Sequence, residues 1–86
     1  MKKIWHDTAW DDYLYWLEKD KKILSKINGL VQDIERHSFD GLGKPEPLRG
    51  EYSGLWSRRI DEKNRILYFI RDGMLEIVQC RGHYKE

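Results

Sequence analysis

The sequence predicts an α+β fold, in which two N-terminal helices pack on one face of a small, mainly antiparallel β-sheet. Three observations lead there. Ile23, Leu24, Ile27, Leu30, Val31 and Ile34 repeat at helical spacing and leave the intervening positions polar. Gly41, Gly43, Pro45, Pro47, Gly50 and Gly54 then make any helix or long strand across residues 38–54 untenable. Beyond that break, two runs of alternating apolar residues flank Asp72-Gly73, a strong signal for a two-residue hairpin turn.

Taken in order, Lys2 to Trp5 reads as a short opening strand. Thr8-Ala9-Trp10-Asp11 has the form of a capping box, and Trp10, Tyr13, Leu14 and Leu17 follow at helical spacing as the expected buried stripe. Tyr15 falls outside that stripe and is expected to be exposed. Asp20 is placed to cap the second helix, on whose polar side Gly29 costs about 1 kcal/mol relative to Ala. Three strands are expected after the loop, over Leu55 to Ile60, Arg65 to Arg71 and Met74 to Arg81. The hairpin turn puts Ile66, Tyr68, Ile70, Leu75 and Ile77 on one face, an evident core face. Arg65, Leu67, Phe69, Arg71, Glu76 and Val78 share the other, a mixed face with room for a site. Runs of two helices followed by an antiparallel meander place both helices on the same side, and residues 1–86 are expected to form one domain.

Composition narrows the function classes. The chain has 86 residues, of which 40% are apolar and 36% charged, and its net charge is +1. No apolar run approaches the ~20 residues of a membrane span, and no signal-peptide core is seen, so a cytoplasmic protein without membrane contact is expected. Cys80 is the only cysteine, which excludes an internal disulfide and a cysteine-based zinc site. The three histidines have no metal-ligand spacing, and no phosphate-binding glycine loop or nucleophile elbow is present, so neither metal nor cofactor is expected. Residues 1–43 carry seven Lys/Arg against eight Asp/Glu, and residues 44–86 carry nine against seven. That tilt permits a basic face on the C-terminal half without establishing one.

The residues with chemical potential all follow position 43. Glu46 lies between Pro45 and Pro47, which narrow its backbone range; its plain alternative is a surface loop acid beside Lys44. Arg58, Arg59 and Arg65 are suited to phosphate recognition, although ion pairing, here with Asp61, Glu62 or Glu76, is the commoner fate of strand arginines. His83 and Tyr84 stand near the end of the chain, where a histidine is commonly a solvated tail residue. Singly these residues are ambiguous, but as a set they have a logic. RNA can be cut by its own 2′-hydroxyl attacking the adjacent phosphorus. That reaction needs a base for the hydroxyl, an acid for the leaving 5′-oxygen and cations around the developing charge. One Glu, one His and several Arg suffice without a metal.

Four stretches carry a resemblance to a known family: Trp10-Asp11-Asp12-Tyr13-Leu14-Tyr15-Trp16, Gly43-Lys44-Pro45-Glu46-Pro47-Leu48, Gly54-Leu55-Trp56-Ser57-Arg58-Arg59-Ile60 and Cys80-Arg81-Gly82-His83-Tyr84. In these, and from Lys3 to Tyr84 without an evident gap, the chain resembles the YoeB branch of the RelE-like toxins. The resemblance implies a fold like that of microbial ribonucleases, often dimeric, and cleavage of translated mRNA in the ribosomal A site. It also implies a cognate antitoxin of the YefM type, whose C-terminal segment wraps the toxin. The family's general base matches Glu46, its general acid His83, and its charge-stabilising arginine Arg65. Arg59 and Tyr84 match further active-site positions, and with Lys44 and Arg49 they are expected to bind RNA. Two departures stand out. Arg49 replaces a familiar lysine, and Lys85-Glu86 extend the chain past the tyrosine at which close relatives tend to end.

Two other classes compete. ParE-like toxins share the general fold and inhibit DNA gyrase, and a catalytically silent partner-binding domain is a third reading. An inhibitor has no need to keep Glu46, Arg65 and His83 together, which distinguishes it from a nuclease.

Overall fold

Pattern and structure agree most closely at the second helix. The computed structural model describes residues 1–84. Its elements in chain order are β1 (Lys3–Trp5), α1 (Asp7–Lys19), α2 (Lys21–Arg36), β2 (Glu46–Pro47), a 3₁₀ turn (Gly50–Tyr52), β3 (Trp56–Arg59), β4 (Arg65–Arg71) and β5 (Met74–Gln79). Asp20 caps α2, its carboxylate accepting from the N–H groups of Lys22 and Ile23 at 3.0 and 3.2 Å. Ile27, Leu30, Val31 and Ile34 are buried, with Ile23 and Leu24 packed beside them. The expected extension Lys85-Glu86 lies outside the described residues.

The five strands form one sheet in the order β1-β5-β4-β3-β2, antiparallel except where β1 runs parallel to β5. Both helices cover one face, where Ala9, Trp16, Ile27, Leu30 and Ile34 pack on Ile66, Tyr68, Leu75, Ile77 and Cys80. The opposite face carries a smaller cluster of Leu48, Leu67 and Tyr84, flanked by Tyr52, Leu55 and Val78. The Asp72-Gly73 turn closes the β4–β5 hairpin with Arg71 opposite Met74, as expected. The 38–54 break holds one further strand. Glu46 and Pro47 pair with Ser57 and Trp56 at the sheet edge, a position that tolerates proline.

Helix α1 differs from its pattern in two respects. The capping box does not form: His6 is the N-cap, without a side-chain cap, and Thr8 already lies inside the helix. The start is set by the end of β1, because His6 donates its N–H to the Ile77 carbonyl (2.9 Å) while its own carbonyl accepts from Trp10 (2.9 Å). The buried stripe is also rotated. Of the expected stripe only Tyr13 packs against the core, while Trp10, Leu14 and Leu17 are exposed; Ala9 and Trp16 are buried instead, and Tyr15 also packs against the core. The rotation serves polar ties to the residue just after β5: Trp16 Nε1 donates to the Cys80 carbonyl (2.9 Å), and the Asp12 carboxylate accepts from the Cys80 N–H (3.0 Å). Burial raises the Asp12 pKa, against the lowering effect of that Cys80 N–H.

Strand β5 ends at Gln79, two residues earlier than expected, after a register shift in which Tyr68 pairs with Ile77 but Leu67 pairs with Gln79. Val78 is the extra residue of this bulge, and it shifts the alternation of the residues that directly follow it. Cys80 thereby falls on the core face.

Candidate active site on the open face of the sheet

The register of three strands assembles the site. Glu46 pairs with Ser57, Ser57 with Leu67, and Arg59 with Arg65. Directly paired residues share a face, as do residues two apart on one strand, so Glu46, Ser57, Arg59, Arg65 and Leu67 all face away from the helices. Arg58 is on the other side. Close approach of the loop holds β2 in place: the Arg59 N–H donates to the Gly43 carbonyl (2.6 Å), and a Cβ at Gly43 would stand 2.9 Å from the Arg59 carbonyl oxygen and from Leu30. Only glycine fits there.

Glu46 is exposed, and its Oε1 accepts a hydrogen bond from the Tyr84 hydroxyl at 2.7 Å. The Tyr84 hydroxyl also lies 3.3 Å from Ser57 Oγ, a fully buried group. Next along the chain, the His83 ring stacks on Tyr84 with centroids 5.2 Å apart and planes 26° apart. His83 Nδ1 is 2.9 Å from the Tyr84 carbonyl. A carbonyl can only accept, so Nδ1 carries a proton, and Nε2 has no hydrogen-bond partner among the described residues. Carboxylate, phenol and imidazole are thus linked in one chain of contacts.

Arg65 has 9% of its surface exposed. Its Nη1 donates to the carbonyls of Asp61 (2.6 Å) and Asn64 (3.1 Å), while Nε and Nη2 have no acceptor among the described residues. Those donors remain for a ligand anion. The side chains of Lys44, Arg49 and Arg59 are exposed and take part in no hydrogen bond or ion pair among the described residues, which leaves three cations for a polyanion.

Arg58 has a different task from its neighbour. It is fully buried, and its five N–H groups meet five acceptors: Tyr68 Oη (3.1 Å), Asp33 Oδ2 (2.5 Å), and the carbonyls of Leu42 (3.1 Å), Asp40 (2.7 Å) and His37. Asp33 is its ion-pair partner, in place of the expected Asp61, Glu62 or Glu76. Glu76 is nearly buried between His6 (3.0 Å) and Arg71 (2.7 Å), at the far end of the open face.

Three contributors are absent from the expected set: Ser57 beside the Tyr84 hydroxyl, and Asp61 with Asn64 in the β3–β4 turn. Ser57 shares strand parity with Arg59, which was visible in the sequence. Asn64 matters through its contact with Gly82, eighteen positions away, which no local pattern announces. Among the described residues no cluster of three or more His, Cys, Asp or Glu side chains could hold a metal ion, and no helix is long and apolar enough to cross a membrane.

Comparison with known proteins gives this geometry a lineage. The chain is 55% identical to the toxin YoeB of Escherichia coli K12 over 84 residues, covering 98% of this chain and 100% of the relative. A YoeB/ParE toxin from Agrobacterium tumefaciens superposes with a TM-score of 0.95 at 45% identity, covering 98% and 100% of the two chains. A YoeB from Staphylococcus aureus, solved as a dimer, gives a TM-score of 0.91 at 36% identity over 98% of each chain. The same toxin solved as a heterotetrameric complex with YefM gives 0.90, again at 36% identity over 98% of each chain. The family model describing the YoeB-like toxin of bacterial type II toxin–antitoxin systems matches residues 5–84, and the chain belongs to that family.

Proposed function

We propose that this toxin is a ribosome-dependent mRNA endoribonuclease that acts without metal or cofactor, and that residues 1–86 work as one RelE-like domain. The observation that carries the proposal is the linked Glu46–Tyr84–His83 chain on the same open face as the Arg59–Arg65 pair. Glu46 removes the proton of a 2′-hydroxyl through Oε2, since Oε1 is occupied by Tyr84. The 2′-oxygen bonds to the adjacent phosphorus and the bond from phosphorus to the 5′-oxygen breaks. His83, in its protonated form, delivers the Nε2 proton to that departing oxygen. Arg65 meets the extra negative charge through its unused Nε and Nη2, and Arg59, Lys44, Arg49 and the Tyr84 ring hold the RNA. The products are a 2′,3′-cyclic phosphate and a 5′-hydroxyl.

A net charge of +1, with Lys44, Arg49 and Arg59 as the site's exposed cations without an ion pair among the described residues, offers little grip on free RNA, which supports a requirement for the ribosome to present the A-site mRNA. A YefM-type antitoxin and a homodimer are the proposed protein partners, by analogy with the Staphylococcus aureus toxin. The exposed Trp10, Leu14 and Leu17 of α1 are consistent with a protein partner there. The proposed location is the cytoplasm, where translation occurs. Gyrase inhibition has no comparable support, since an inhibitor needs no such acid–base chain. The test is to add pure toxin to a cell-free translation reaction and map mRNA 5′ ends. New ends inside translated frames, absent when ribosomes are omitted at equal salt, are expected. Equal cutting of naked RNA, or intact mRNA throughout, contradicts the proposal.

A further inference from the structure

We propose that Asn64 is a positioning residue that fixes where His83 is presented relative to Arg65. The inference rests on the nuclease reading above and adds a residue to it. His83 is exposed, and its side-chain hydrogen bond and ring contact among the described residues are both with its neighbour Tyr84, so the backbone just before it decides where the ring stands. That backbone is held at Gly82, on both sides of one residue. The Gly82 N–H donates to Asn64 Oδ1 at 2.8 Å, and the Gly82 carbonyl accepts from the Arg65 N–H at 3.0 Å. Gly82 has φ +83°, so the chain bends where the bracket closes.

Asn64 is itself tied down. Its Nδ2 donates to both carboxylate oxygens of Asp61, at 3.1 and 3.2 Å. Its main-chain N–H donates to Asp61 Oδ1 at 2.7 Å, and its carbonyl accepts from Arg65 Nη1 at 3.1 Å. Burial pushes the Asp61 carboxyl up, but the N–H groups of Lys63 and Asn64 together outweigh it and hold the pKa below the ordinary value. One residue therefore grips both the backbone before the acid and the guanidinium beside the phosphate. The side chain must accept towards Gly82 and donate towards Asp61, and a carboxamide does both.

The test uses the full-length toxin in translating extracts, with two mRNAs: an ordinary one, and one with a 5′-bridging sulfur at the cut site, whose thiolate leaves without protonation. Asn64→Leu should lower the cleavage rate on ordinary mRNA by about 10–10²-fold, as a small misplacement of a reacting group does. The ribosome concentration giving half-maximal rate should stay unchanged. On the sulfur substrate Asn64→Leu and His83→Gln should both approach wild type, while Glu46→Gln should not. The paired change Asp61→Asn with Asn64→Asp reverses the donor and acceptor ends of the contact, still offers Gly82 an oxygen, and should restore most of the rate lost in Asn64→Asp alone. Normal cutting of ordinary mRNA by Asn64→Leu, equal deficits on both substrates, or no rescue by the paired change would overturn the role of Asn64 alone. Failure of the wild-type toxin to cut at all would overturn the nuclease reading, and this inference with it.

Discussion

The Tyr84 hydroxyl donates to Glu46 Oε1 at 2.7 Å, joining the end of the described chain to the edge strand β2 across 38 positions of sequence. The proposed base is therefore held by a residue adjacent to the proposed acid. Glu46→Gln and His83→Gln should each slow cleavage by ~10²–10⁴-fold, the usual worth of a positioned proton-transfer group. Tyr84→Phe removes a hydrogen bond to a charged group, worth about 1.5–3 kcal/mol, and should slow it by roughly 10–10²-fold. Single-turnover rates at saturating ribosomes check this. A Tyr84→Phe toxin at full rate would remove the phenol from the mechanism.

Adjacent arginines should separate in their effects. Arg58→Met takes one donor from each of five acceptors and leaves Asp33 without its ion pair, so it should cost about 3–5 kcal/mol of stability in urea denaturation. Arg59→Ala removes an exposed cation, should leave the urea midpoint nearly unchanged and should weaken cleavage. Equal stability of the two variants would contradict the assignment of opposite faces.

Acid sensitivity follows from two carboxyls. Asp33 is held below its ordinary 3.8, first by the Leu42 N–H and then by Arg58. Glu76 is held below its ordinary 4.5, first by His6, with burial opposing and Arg71 assisting. Both bind protons less readily folded than unfolded, so their contribution is complete above those ordinary values and is lost as pH falls through the lower folded ones. Asp33→Asn and Glu76→Gln should start less stable at neutral pH and lose less than wild type on acidification below 3.8 and 4.5 respectively. Urea midpoints measured against pH check this, and parallel curves would contradict it.

Cys80 should be inert while the protein is folded. It is fully buried, and burial, with Asp12 nearby, pushes its thiol up to about 12. The thiolate is the nucleophile, so alkylation should wait for unfolding. Rapid labelling at neutral pH in native buffer would mean that the segment around Cys80 opens far more readily than its ties to Asp12 and Trp16 imply.

What the residue pattern reveals depends on whether local or distant contacts decide. Helix α2 has one apolar stripe and a working Asp20 cap, so its position and buried face are legible. Helix α1 offers two aromatic-rich stripes, and the choice between them is made by Cys80, sixty-four positions beyond Trp16. The two sheet faces are legible from alternation as far as Ile77. The bulge at Val78 is not, and with simple alternation His83 would fall on the face opposite Arg65. Arg58 and Arg59 are indistinguishable by composition; their register against Ile66 and Arg65 separates a core residue from an exposed one. The Asn64–Gly82 contact depends on where a chain reversal and a bend meet, which no window of sequence contains.

The most direct test of the acid–base proposal is cleavage, during translation, of an mRNA carrying a single 2′-deoxynucleotide 5′ to the scissile phosphate. The nucleophile belongs to the RNA, so this substitution should abolish cutting there while leaving the same mRNA fully translated. The all-ribose message should yield a 2′,3′-cyclic phosphate and a 5′-hydroxyl, with or without chelator. Cutting of the deoxy-substituted message at the same bond and the same rate would mean that the 2′-hydroxyl does not attack, and that Glu46 is not its base.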